Sequence, residues 1–173
     1  MHAVASPEPD ESLNESVKRL AARYREIAAT TMADVPICNA ALGVEALGFR
    51  RWSGRALGMV VTPWFLNLTV FDAPDAEPAP PASTGATIPL ALPAGEVQLI
   101  VGELPGFGRV DICSLFSPMF EFADMAAAVE TAREALRALL APPSPPPGQQ
   151  PKPAFDRRAF LRGALAPPGQ APA

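Results

Sequence analysis

Two cysteines, Cys38 and Cys113, and one histidine, His2, are all the chain has of the side chains that usually hold metals or act as nucleophile and base. No Cys-x-x-Cys pair occurs, so a four-thiolate metal site and a disulfide framework are both disfavoured, and two reduced, buried thiols are expected. With His2 near the chain start, Ser-His and Cys-His pairs have no base to draw on. Glu103, Asp111, Glu121 and Asp124 are the carboxylates from which a general acid–base pair would have to come; read plainly, they are surface charges and a helix cap. Gly106-x-Gly108 is too short for a dinucleotide fingerprint and opens a strand rather than a helix. No catalytic residues and no cofactor are expected.

The remaining chemistry is that of recognition. The run from Cys113 to Asp124 places Leu115, Phe116, Met119, Phe120 and Phe122 around Pro118. A strand holding the first half ends at Ser117-Pro118, and the second half starts a loop rich in large apolar side chains. Trp64-Phe65, just after Pro63, is a second such group. Trp, Phe and Met are enriched where partners dock. Trp64, Phe65, Phe116, Met119, Phe120 and Phe122 are therefore the candidate partner-binding residues, with core packing the competing reading, above all for Trp64 and Phe116. A third group lies near the C-terminus: Arg157, Arg158, Phe160, Leu161 and Arg162, a short amphipathic recognition segment. It is similar to the twin-arginine export motif, but at the wrong end of the chain and with no apolar stretch after it.

Bulk composition fits this reading. The 173 residues suffice for one domain with a core, the formal net charge is −4, and the 22 prolines and 12 glycines offset an alanine-rich apolar content. No basic face for nucleic acid is expected. The polar, acidic stretch Met1 to Glu11 is no secretory signal, and no apolar run approaches the roughly 20 residues that span a bilayer. A cytoplasmic protein without membrane insertion is expected.

The elements that must carry these residues follow from periodicity. Ser12-x-x-Glu15 is a capping box, with Asp10 as an alternative cap. Leu13, Val17, Leu20, Tyr24 and Ile27 then form the apolar stripe of a helix fading near Met32. Strands are expected over Val44–Trp52, Arg55–Thr62, Phe65–Phe71, Thr87–Leu92, Glu96–Glu103 and Arg109–Phe116. Pro63 marks a bulge or a crossing to the next strand, and Asp72–Ala86, with four prolines, a mobile loop. Asp124 caps a second helix striped by Met125, Val129, Ala132, Leu136 and Leu139, which ends before Pro142-Pro143. Segregated helix, strands and helix predict an α+β domain: an N-terminal helix, an antiparallel sheet of about six strands, and a C-terminal helix packed on a sheet face, both helices sharing that face. Residues 12–140 form this domain, and 141–173 a disordered, Pro-rich tail carrying the twin-arginine-like segment.

Three stretches together resemble the NiFe-hydrogenase assembly chaperone family of HybE/HupJ type: Glu45-Ala-Leu-Gly-Phe-Arg-Arg-Trp-Ser-Gly54, Leu57-Gly-Met-Val-Val-Thr-Pro-Trp-Phe-Leu-Asn-Leu68, and Cys113 to Asp124. The resemblance runs from about Ser12 to Leu140, with Arg157-Arg158 echoing the family's C-terminal end. It implies a cytosolic accessory factor rather than an enzyme, one that holds hydrogenase precursors during maturation. The partners so implied are the large subunit, the small-subunit precursor with its twin-arginine signal, and other hydrogenase accessory proteins. Some relatives are implied to travel with a rubredoxin-like iron module, for which this chain lacks the four cysteines. Two rivals stand beside this reading: a metallochaperone using Cys38, Cys113 and a carboxylate, and a scaffold whose Pro-rich tail recruits an adaptor.

Overall fold

A computed structural model describes residues 10–143. Helix α1 (Glu11–Ala29) is followed by strands β1 (Glu45–Trp52), β2 (Arg55–Val61), β3 (Leu66–Asp72), β4 (Thr87–Leu92), β5 (Gly95–Leu104) and β6 (Gly108–Phe116), then by helix α2 (Met125–Leu140). The strands form one six-stranded sheet in the order β1-β2-β3-β6-β5-β4, antiparallel throughout. Two three-stranded meanders thus meet at the β3–β6 pair. The expected α+β architecture is the one observed. The tail from 144 onward, with Arg157, Arg158, Phe160, Leu161 and Arg162, lies outside the described residues.

Local chemistry sets the element ends. Asp10, not Ser12, is the N-cap of α1, its carboxylate accepting from the Leu13 N–H at 3.1 Å. Asp124 caps α2 in the same way, accepting from Ala127 N–H at 2.8 Å. Ser53 and Gly54 turn β1 into β2 with positive φ at both. Pro63 marks the passage to the next strand, without a bulge. The Thr62 N–H donates to the Phe65 carbonyl at 2.8 Å, and its hydroxyl accepts from the N–H groups of Trp64 and Phe65. Pro63-Trp64 is therefore the tip of the β2–β3 hairpin, with Val61 paired to Leu66.

The helices do not share a face. In β2, Leu57, Met59 and Val61 join the core beneath α2, whereas Ala56 and Val60 join the one beneath α1. Alternate side chains point to opposite sides of a strand, so the helices sandwich the sheet. The sequence carries the reason: Ala56–Val61 and Leu66–Phe71 are buried at every position, as strands covered on both faces are.

The Pro-rich connection between β3 and β4 is tied down rather than loose. Arg109 donates to the Pro80 carbonyl at 2.6 Å, the Ala79 N–H donates to Asp72 at 3.2 Å, and 85–86 exchange two backbone bonds with Val101. Proline lacks a donor but keeps its carbonyl, which arginine can reach. Asp111, expected as a surface charge, is fully buried. Arg55 at 2.5 Å and Arg109 at 2.9 Å hold it, and Arg55 also pairs with Asp72 at 3.1 Å. Neutralisation by two guanidiniums is what permits a carboxylate there.

Candidate functional site

Three separate segments converge at one end of the sheet: the connection from α1 to β1, the β2–β3 hairpin tip, and the turn from β6 into α2. Asn39 joins them. Its amide donates to the carbonyls of Met119 at 2.9 Å and Phe122 at 2.8 Å, its backbone N–H donates to Pro63 O at 2.8 Å, and its side-chain oxygen accepts from Ala41 N–H at 3.0 Å. Ser117, whose peptide bond to Pro118 is cis, closes the third side through its hydroxyl to Trp64 O at 3.1 Å.

The six aromatic and methionine residues marked by the sequence divide across this junction. Phe116, Met119 and Phe122 belong to the core beneath α2; Met119 is wholly buried, and the two phenyl rings meet edge to face at 5.1 Å. Taken as contact surface, these three are corrected: they support the turn from below. The physical reason lies in the turn, where every third side chain, 116, 119 and 122, is buried with the α2 residues while Phe120 is turned out. Phe120 is 59% exposed. Trp64 and Phe65 are half-buried on the α1 side, Trp64 edge-on to Phe65 and Phe65 edge-on to Tyr24.

Beside Trp64 runs an apolar groove of about 660 Å³, lined by Ala28, Met32, Val35, Cys38, Pro63 and Trp64 among others. Arg25 stands at its rim, its guanidinium donating to Val44 O at 3.3 Å. The large hydrophobic side chains left exposed among the described residues are Ile37, Ile100 and Phe120. Two of these, Ile37 and Phe120, sit on the segments that Asn39 joins. Groove and exposed side chains together leave this end of the sheet apolar on its surface.

Metal chemistry finds no comparable arrangement. Cys113 is in the core beneath α2, while Cys38 lines the groove beside α1, and its thiol donates to Met32 O at 3.4 Å. Burial pushes the Cys38 thiol above its ordinary value, away from the thiolate that a metal or an electrophile needs. Among the described residues no three His, Cys, Asp or Glu side chains gather as a ligand set. Among them, too, no helix is long and apolar enough to cross a membrane.

Met32, Val35, Ile37 and Asn39 were not singled out as site residues by the sequence, and Cys38 only as a thiol. The run Val35-Pro36-Ile37-Cys38 was a usable signal, since apolar residues continue past the helix end. Nothing local announces that Asn39 bonds to carbonyls 80 and 83 residues away.

Residues 15–163 match a family model described as NiFe-hydrogenase assembly, chaperone, HybE. The hydrogenase expression/formation protein HupJ of Bradyrhizobium diazoefficiens is 44% identical over 165 residues, covering 93% of this chain and 95% of that protein. Protein HoxT of Cupriavidus necator is 41% identical over 163 residues, covering 86% and 89%. The solution structure of HybE from Escherichia coli superposes with a TM-score of 0.61 at 26% identity, covering 82% of this chain and 90% of that one.

Proposed function

The chain belongs to the HybE family of NiFe-hydrogenase assembly chaperones, and from that premise we propose that it works by holding unfinished hydrogenase subunits on the apolar end of its sheet. The clients are the large subunit and the small-subunit precursor with its twin-arginine signal. Binding takes place in the cytoplasm, alongside other hydrogenase accessory proteins, and withholds the precursor until cofactor insertion is done, so that export follows assembly.

One observation carries this reading: Ile37 and Phe120 stay exposed on two segments that Asn39 locks together, beside the groove under Trp64. A protein serving only its own fold gains little from fixing two large apolar side chains in water. A chaperone does gain, because a rigid apolar surface loses little conformational entropy when an unfolded segment settles on it. Burying the exposed part of Phe120 alone is worth on the order of 1–2 kcal/mol.

The experiment is a deletion strain complemented with the intact chain or with the Trp64→Ala, Phe120→Ala variant. Hydrogenase processing and activity should fall in the deletion, return with the intact chain, and not return with the variant at equal abundance. Wild-type processing in the deletion strain would contradict the role, and full rescue by the variant would move the client site elsewhere.

A further inference from the structure

A second cleft, separate from the groove, opens where the middle of β1 meets the last turns of α2. It measures about 530 Å³. Leu47, Leu136 and Leu140 form its floor, and Arg50, Arg133 and Arg137 stand around it. Gly48 lets helix and strand approach this closely: its φ is +68°, and Leu136 Cδ2 occupies the place a Cβ would take. β1 is an edge strand, and its register jumps between Leu47 and Arg50, so Gly48 and Phe49 bulge where the partner strand has Gly58 alone.

The three guanidiniums are incompletely neutralised. Arg137 pairs with Glu134 at 2.5 Å, while Arg133 approaches Glu130 only to 3.8 Å, with both side chains more than half exposed. Arg50 pairs with no carboxylate among the described residues, and its one hydrogen bond is a long one, 3.4 Å, to Gly48 O. A local positive excess thus sits on a chain of formal net charge −4, over an apolar floor.

We propose that this cleft docks an acidic peptide segment of a partner protein, one that inserts a leucine-sized side chain between Leu47, Leu136 and Leu140 and sets carboxylates against the arginines. Guanidinium forks match carboxylates in geometry as well as charge, and a rim of one sign over an apolar centre selects for partner charge. The chain's own C-terminal residues 144–173 are the wrong occupant: Lys152, Arg157, Arg158 and Arg162 against Asp156 give them an excess of positive charge, which the rim repels. The proposal does not depend on the client reading of the groove.

The test uses the full chain and a fluorescent twelve-residue peptide of glutamates around a central leucine, with two controls: lysine in place of glutamate, and glycine in place of the leucine. Anisotropy should show binding of the acidic peptide. It should weaken at least tenfold in Arg50→Glu, weaken steeply as salt rises, and be absent for the lysine control and reduced for the glycine control. The client-surface variant Phe120→Ala should bind the acidic peptide unchanged, which separates failure of this idea from failure of the client site. No binding of the acidic peptide, equal binding of the lysine control, or an Arg50→Glu chain of native melting temperature that binds as before would each overturn the proposal. Sedimentation showing a dimer that Arg50→Glu dissolves would also overturn it, giving the cleft to a second copy.

Discussion

Replacing Asn39 by Ala removes the side chain that joins the three segments of the apolar surface. Two side-chain donations, to Met119 O and Phe122 O, and one acceptance, from Ala41 N–H, are lost. A net hydrogen bond contributes about 1 kcal/mol, and a partner left unsatisfied in a partly buried place costs somewhat more. The sum is about 3 kcal/mol, or roughly 10 °C in Tm for a domain of this size. Thermal and urea unfolding of the purified chain measure it directly. Amide hydrogen exchange adds the location: protection should fall at 117–123 and 35–42 and stay unchanged in β4 and β5, which are far from Asn39 along the sheet. Asn39→Asp sharpens the point, because a carboxylate keeps the acceptor toward Ala41 but loses both donations, and should behave much like Ala. A Tm within about 2 °C of the parent, or a loss of protection spread evenly over the sheet, would refute the reasoning that one side chain holds this surface.

Other consequences of the structure are measurable in the same preparations. Met119→Ala opens a cavity in the core beneath α2 and should cost about 3 kcal/mol, whereas Phe120→Ala, one residue on, should stay within about 0.5 kcal/mol of the parent in urea titration. The chain has one tyrosine, and burial raises Tyr24 from 10 to about 12. Its neutral form favours the fold, so that contribution is complete below pH 10 and is lost as pH rises from 10 towards 12. Ultraviolet titration should therefore show a midpoint near 12 or one that coincides with unfolding, and a midpoint near 10 with an intact fold would contradict the packing. Asp10 is held down to about 2, first by its hydrogen bond with Arg51 and then by the Leu13 N–H. A lowered carboxylate stabilises above its ordinary value of 3.8 and stops doing so as pH falls towards 2. The stability gap between the parent and Asp10→Ala should accordingly narrow over that window in acid unfolding curves.

Most element positions were legible because the signals are local. The stripe Leu13, Leu20 and Tyr24 lies against the sheet as its spacing requires, and Asp10 and Asp124 cap the helices that follow them. Relations between elements were less so. A stripe shows that a helix has an apolar face but not which side of the sheet it covers; only the unbroken burial of β2 and β3 settles that. The connection 72–86 reads as loose because prolines give no periodicity, yet its anchors are arginine and backbone donors far along the chain. Asp111 resembles any strand carboxylate until Arg55 arrives from β2 to join Arg109, two residues before it on β6. At the site, Trp64 and the 116–122 run drew attention for their side-chain types. The division into supports and exposed contacts depended on how the turn folds back.

The central claim is that a hydrogenase subunit precursor docks on the surface around Asn39, and its most direct measurement is a dissociation constant. Purified unprocessed subunit should be titrated against the parent chain and against the double variant Ile37→Ala, Phe120→Ala, whose side chains are both exposed and whose loss should leave Tm almost unchanged. Loss of about 2 kcal/mol of apolar contact predicts binding weakened by roughly 30-fold. Equal affinity of the two chains at equal Tm would contradict the claim.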